Sequence, residues 1–203
     1  MLFLGEASKQ FLPCLAFFGL MFGIGVVVRI ILYMYLCWYL CECVRGSAAG
    51  GVRAPETKGF TPGLGEMLGQ TIKAGGCLLL YAGPAIFYFV ETRQTDAIFW
   101  GLSIFAFFFL PMSFLATVMF ESWRGLNPIL LIGSIFNTLL PYAAMILTLL
   151  AAGVVIIEKA PNPRASHLTF FITWLVGVFL AMIAAHLLGR FYYRYEEKLN
   201  WDV

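Results

Sequence analysis

Cys37, Cys41 and Cys43 stand as C-x-x-x-C-x-C. Residues 37 and 41 fall on one helix face, so two thiolates could meet one soft metal ion. A structural zinc site draws paired ligands from turns and completes its set elsewhere. This sequence has no second Cys or His cluster to do so. The reading is therefore of small apolar thiols, Cys14 and Cys77 included, and no metal site. Five Cys at irregular spacings, mostly inside apolar runs, also argue against a disulfide framework. His167 and His186 invite a bis-imidazole haem, but they lie on one predicted helix. At ~1.5 Å per residue they are about 28 Å apart and cannot share an iron.

Carboxylate chemistry fares no better. The only Asp residues, Asp96 and Asp202, cannot build an Asp-rich metal cluster. The Glu residues are scattered, and Glu121 reads as a local pair with Arg124, three positions on. No G-x-S-x-G or H-E-x-x-H occurs. Gly63, Gly65 and Gly69 miss the G-x-G-x-x-G spacing by one position and follow no predicted strand, so they read as a connector. No catalytic residue and no cofactor are assigned. The remaining candidates are Arg29, Arg45, His186 and Arg190, at the ends of apolar stretches, as contacts for lipid phosphate or a partner. For Arg29 the bland reading is a side chain snorkelling to the membrane edge.

These residues must be positioned by lipid-exposed helices. Of the 203 residues, 61% are hydrophobic and 12% charged, against roughly 25% charged in a soluble domain. Mean hydropathy is +0.86. Such a chain cannot cover itself with polar groups, so soluble, disordered and disulfide-rich classes are excluded. With a net charge of +2 and no basic stripe, nucleic acid is not an expected partner. Five stretches lack Asp, Glu, Lys and Arg: 10–28, 74–90, 97–120, 125–157 and 165–189. A hydrocarbon core of about 30 Å needs ~20 helical residues. Runs such as 105–110 do not alternate, which excludes a β-barrel.

The expectation is one all-α integral membrane domain, a polytopic bundle of about five spans at 11–40, 74–90, 97–120, 128–157 and 167–189. The first is overlong. It reads as one helix bending near Gly23 and Gly25, with Tyr33, Tyr35, Trp38 and Tyr39 at headgroup level. A cleaved leader is the weaker reading, since the start lacks a basic region. Segment 42–73, rich in Gly and carrying Pro55 and Pro62, reads as a polar loop with a short helix over 64–72. Pro84 and Pro111 lie mid-span and are expected to kink their helices. The tail 190–203 interleaves aromatics with charges and reads as an interfacial helix.

Lys9, Arg93, Lys159 and Arg164 fall on one side of this topology and the other nine basic residues on the opposite side. The positive-inside rule then puts loop 42–73 and the C-terminus in the cytoplasm and the N-terminus outside. The segments 39–50 and 53–56, Gly76, Gly83-Pro84, Glu121-Ser-Trp-Arg-Gly-Leu-Asn-Pro and the ending 188–201 resemble bacterial multi-pass membrane proteins grouped as a domain of unknown function. That resemblance, over residues 30–203, implies an inner-membrane helical bundle and carries no activity or site. The functional expectation is a non-enzymatic scaffold or assembly partner in the bacterial inner membrane, in contact with lipids and with a protein partner or a second copy. The rivals are a transporter or channel component using the Pro-kinked helices, with Ser113, Thr117 and Asn137 as midspan polar groups, and then a membrane enzyme acting on lipid.

Overall fold

The computed structural model describes residues 3–51, 62–158, 167–199 and 201. Every regular element among them is helical: α1 (Phe3–Ala48), α2 (Leu64–Tyr81), α3 (Gly83–Thr92), α4 (Ala97–Phe120), a 3-10 turn (Trp123–Leu126), α5 (Pro128–Asn137), α6 (Leu139–Glu158) and α7 (His167–Leu199). Gly25–Ala48, Ala97–Phe120 and Ile172–Leu199 are long and apolar enough to cross a membrane. The bent pairs α2–α3 and α5–α6 raise the number to five if each crosses as one span. The fold is an all-α polytopic bundle. The chain divides into two compact units, Met1–Leu36 and Cys37–Val203. The first holds the N-terminal part of α1, whose residues 26–28 and 30–33 are all exposed.

In the second unit, element ends follow from local chemistry. Asp96 caps α4, accepting from the Phe99 amide at 3.0 Å, and the Tyr88 hydroxyl of α3 donates to its other oxygen at 2.5 Å. First the Tyr88 hydroxyl and then the Phe99 amide hold the Asp96 carboxyl below its ordinary range. Its contribution is therefore complete above the aspartate range and is lost as pH falls below it. Asn127 caps α5, with Pro128 in the first turn, where its missing N–H costs nothing. The 56° bend between α2 and α3 falls at Ala82, where Pro84 leaves the Leu80 carbonyl without an amide. α4 runs unbroken through Pro111.

Three sequence boundaries need correction. The segment 42–73 holds less loop than expected: α1 continues to Ala48, and the helix expected over 64–72 begins at Leu64 and runs unbroken to Tyr81. Charged residues there pair with one another and with other helices instead of ending the helix. The second span accordingly starts well before residue 74. The stretch 128–157 is two helices meeting at 101° about Thr138. Pro141 has no N–H for the Asn137 carbonyl, and hydroxyls satisfy neighbouring carbonyls: Thr138 Oγ1 donates to Ser134 O and Ser134 Oγ to Leu130 O, each at 2.8 Å. α7 runs on to Leu199, with non-helical φ/ψ at Tyr195. The tail keeps Tyr193, Arg194 and Glu196–Lys198 exposed while Phe191, Tyr192, Leu199 and Trp201 enter the core.

That core gathers Val44 of α1, Met112 and Leu115 of α4, Leu131 of α5, Tyr142 of α6 and Leu188 of α7. At two of the close backbone approaches between elements only glycine fits. A Cβ on Gly189 would lie 2.3 Å from Val44 O and 2.5 Å from Ser47 Cβ, and one on Gly125 would lie 2.3 Å from Thr117 N. Small residues at such crossings let helices pack without a hydrophobic driving force. Gly189→Ala and Gly125→Ala should each lower stability by about 1–3 kcal/mol, the usual cost of overpacking. Gly75→Ala, with open space at its Cβ, should be neutral or stabilising by roughly 0.5–1 kcal/mol. Thermal unfolding in mild detergent measures all three.

Candidate functional site: a charged pocket where α1, α4 and α7 meet

α4 is 24 residues long, about 36 Å at ~1.5 Å per residue, so Glu121 falls at the edge of an apolar layer. Glu121 ends α4 in the left-handed region, at φ 49° and ψ 22°. Glycine is the usual residue there, and a side chain at such φ costs on the order of 1 kcal/mol. What the position gains is reach. Glu121 Oε1 lies 3.1 Å from Arg45 Nη2, and Lys73 Nζ of α2 donates to the Glu121 carbonyl at 2.7 Å. Arg45 Nη1 also donates to Glu42, one turn back on α1. Arg45 Nε and Nη2 are buried with no acceptor aligned on them.

α7 supplies the other side. The Tyr192 hydroxyl donates to Glu196 Oε1 at 3.3 Å. The Arg190 guanidinium stacks on Tyr193, 5.5 Å from the ring centroid, and donates to Gly50 O at 3.5 Å. Gly50, at φ 84°, turns the chain after α1 beneath the Tyr193 ring. Between these groups lies a pocket of 550 Å³ lined by Arg45, Glu121, Tyr192, Tyr193 and Glu196, with Ala48, Val118 and Met119 as apolar lining.

Ser47 Oγ and His186 Nδ1 stand 2.6 Å apart, within the reach of a nucleophile and its base. Ser47 is only 4% exposed, and Gly189 seats against its Cβ, so this bond ties α1 to α7 and leaves no room for a substrate. Arg45, His186 and Arg190 thus belong to one end of the second unit. Arg29 lies in the first unit, exposed on α1. Glu66 accepts from Trp38 Nε1 at 3.2 Å, and Trp38, expected at headgroup level, is buried. Gly65 and Gly69 lie inside α2. Cys41, Cys43 and Cys77 are buried, and Cys77 Sγ is 3.2 Å from Thr117 Oγ1. Among the described residues no three His, Cys, Asp or Glu come together as a metal site. The side chains of Cys14 and His167 lie outside the described residues.

Glu121, Glu196 and Tyr192 were not singled out in the sequence as members of a pocket, and the Glu121 carboxylate goes to Arg45 instead of Arg124. The one sequence signal was Gly125, five positions after an apolar stretch ends at Phe120, where the chain doubles back on α4.

A second concavity, of 390 Å³, lies between the α2–α3 bend and α4. Ala82, Ala85, Ser103 and Ala106 line it together with larger residues that include Phe89, Phe99 and Phe107. Ser113 and Thr117 are packed inside the bundle, and Asn137 is exposed on α5.

Fold and surfaces define a helical membrane-embedded protein. Comparison with protein-family models, curated proteins and solved structures gives no match.

The strain at Glu121 gives a paired test. Glu121→Ala keeps the left-handed strain and loses the ion pair. Glu121→Gly loses the pair but relieves the strain. The glycine variant should be the more stable by about 1 kcal/mol, as thermal unfolding in detergent would show.

Proposed function

We propose that the protein is an assembly partner in a bacterial inner membrane, and that it receives an apolar helix of another membrane protein in the groove between α3 and α4. The groove carries this reading. Its small residues allow a partner backbone to come close, which is how helices associate when lipid removes the hydrophobic drive. Its Phe side chains supply contact area, and Phe89 and Phe99 already pack with ring centroids 5.5 Å apart. Transport is less well supported, because Ser113 and Thr117 are 0% and 2% exposed. In this reading the basic end of the second unit, with Arg45, Lys73 and Arg190, faces the cytoplasm.

A photo-crosslinking amino acid at Ile86, which lines the groove and is exposed, should yield an adduct with a membrane protein in intact cells. Ser103→Phe should abolish that adduct by filling the groove. Adducts with lipid alone would exclude the assembly role. Orientation is checked with exposed positions at the two ends: Ala49→Cys should be protected from an impermeant thiol reagent and Gln94→Cys labelled.

A further inference from the structure

We infer that the pocket where α1, α4 and α7 meet binds the zwitterionic headgroup of a membrane lipid, a phosphodiester bearing a primary ammonium. This inference does not rest on the groove between α3 and α4.

The charges select the ligand. Among the described residues Arg45 is the one cation lining the pocket, and Glu121 and Glu196 are its carboxylates, with Glu42 also paired to the guanidinium. A bare anion would meet an excess of negative charge. A bare cation would leave Arg45 Nε buried without an acceptor and Nη2 with only its ion pair to Glu121, a costly state for charged donors. A zwitterion answers both needs. Its phosphate oxygens accept from the Arg45 guanidinium, which suits phosphate geometry. Its ammonium donates to Glu196 and Glu121. The Tyr193 ring already carries the Arg190 guanidinium, and carboxylates that accept N–H bonds favour a primary ammonium over a methylated one.

Size and depth agree. A volume of 550 Å³ falls within the range of small-ligand sites, about 300–1,000 Å³. The pocket opens at the end of α4, at headgroup level, and Ala48, Val118 and Met119 give the glycerol and first acyl carbons an apolar surface. That lining favours a lipid over a water-soluble ester with the same head.

Native mass spectrometry of the full chain in mild detergent tests this. The probes are phosphatidylethanolamine, phosphatidylglycerol and phosphatidylcholine with identical short acyl chains, with glycerophosphoethanolamine as the soluble arm. Phosphatidylethanolamine should be retained at roughly tenfold lower concentration than the other two lipids, as one added charge-assisted contact implies. The soluble ester should bind more weakly than the lipid. Glu196→Gln should erase the preference with the unfolding temperature unchanged, since Glu196 is exposed. Tyr192→Phe, which removes a hydroxyl and no charge, should reduce it. Equal retention of the three lipids, preference for phosphatidylglycerol, or an intact preference in both variants would overturn the proposal. A soluble ester binding as tightly as the lipid would overturn the membrane source.

Discussion

The left-handed turn at Glu121 is the constraint on which the second unit depends. It stops α4 at the edge of its apolar stretch and sends the chain back along the same helix, so that Gly125 rests on the backbone of Ala116 and Thr117. Each neighbouring helix fastens to this fold-back separately. Arg45 of α1 takes the Glu121 carboxylate, Lys73 of α2 takes its carbonyl, and the Tyr81 hydroxyl of α2 donates to Leu126 O at 3.1 Å. Gly76 of α2 lies against the Trp123 ring. A helix end that would otherwise leave its last carbonyls to solvent becomes the junction of three helices.

The same economy of polar groups runs through the interior. Buried Ser47, Thr117, Ser134 and Thr138 close on other protein atoms, while the Ser113 hydroxyl has no hydrogen-bond partner. Tyr142 donates to Phe108 O at 2.5 Å, beside the Phe107 carbonyl that Pro111 leaves without an amide. Trp201 donates to Ser134 Oγ at 2.7 Å and fixes the chain after α7 onto α5. In lipid an unsatisfied polar group has no water to turn to. The two bends are therefore placed where proline has removed an amide, and at Thr138 hydroxyls take up neighbouring carbonyls.

Much of this fold was legible. The five uncharged stretches marked the apolar helices because charge is costly in hydrocarbon, and composition alone reports that cost. The ends were less legible. Arg45 and Lys73 look like loop residues when charge is counted along the chain, yet they sit on helices, and their shared partner Glu121 is distant in sequence. The break at Thr138 had a local signal in Asn137-Thr138 followed by Pro141, masked by the uniform hydrophobicity around it. Of the pocket, sequence reasoning reached Arg45 and Arg190 from their place at span ends. It did not reach Glu121 and Glu196, because a long-range pairing of charges leaves no periodic trace.

An interior with so little charge leaves two physical means of recognition, and the structure separates them by depth along α4. Ser103, Ala106 and Phe107 face a concavity where shape alone can discriminate. Val118, Met119 and Glu121, at the end of the same helix, face one where charge can. Pro111 lies between them, at the point where the helix lacks a backbone hydrogen bond and its carbonyl ladder is weakest. A ligand in the charged pocket draws on Arg45 and Glu121, the groups that hold the end of α4 to α1. The two surfaces proposed for partner docking and headgroup binding, of different chemistry, lie along one helix.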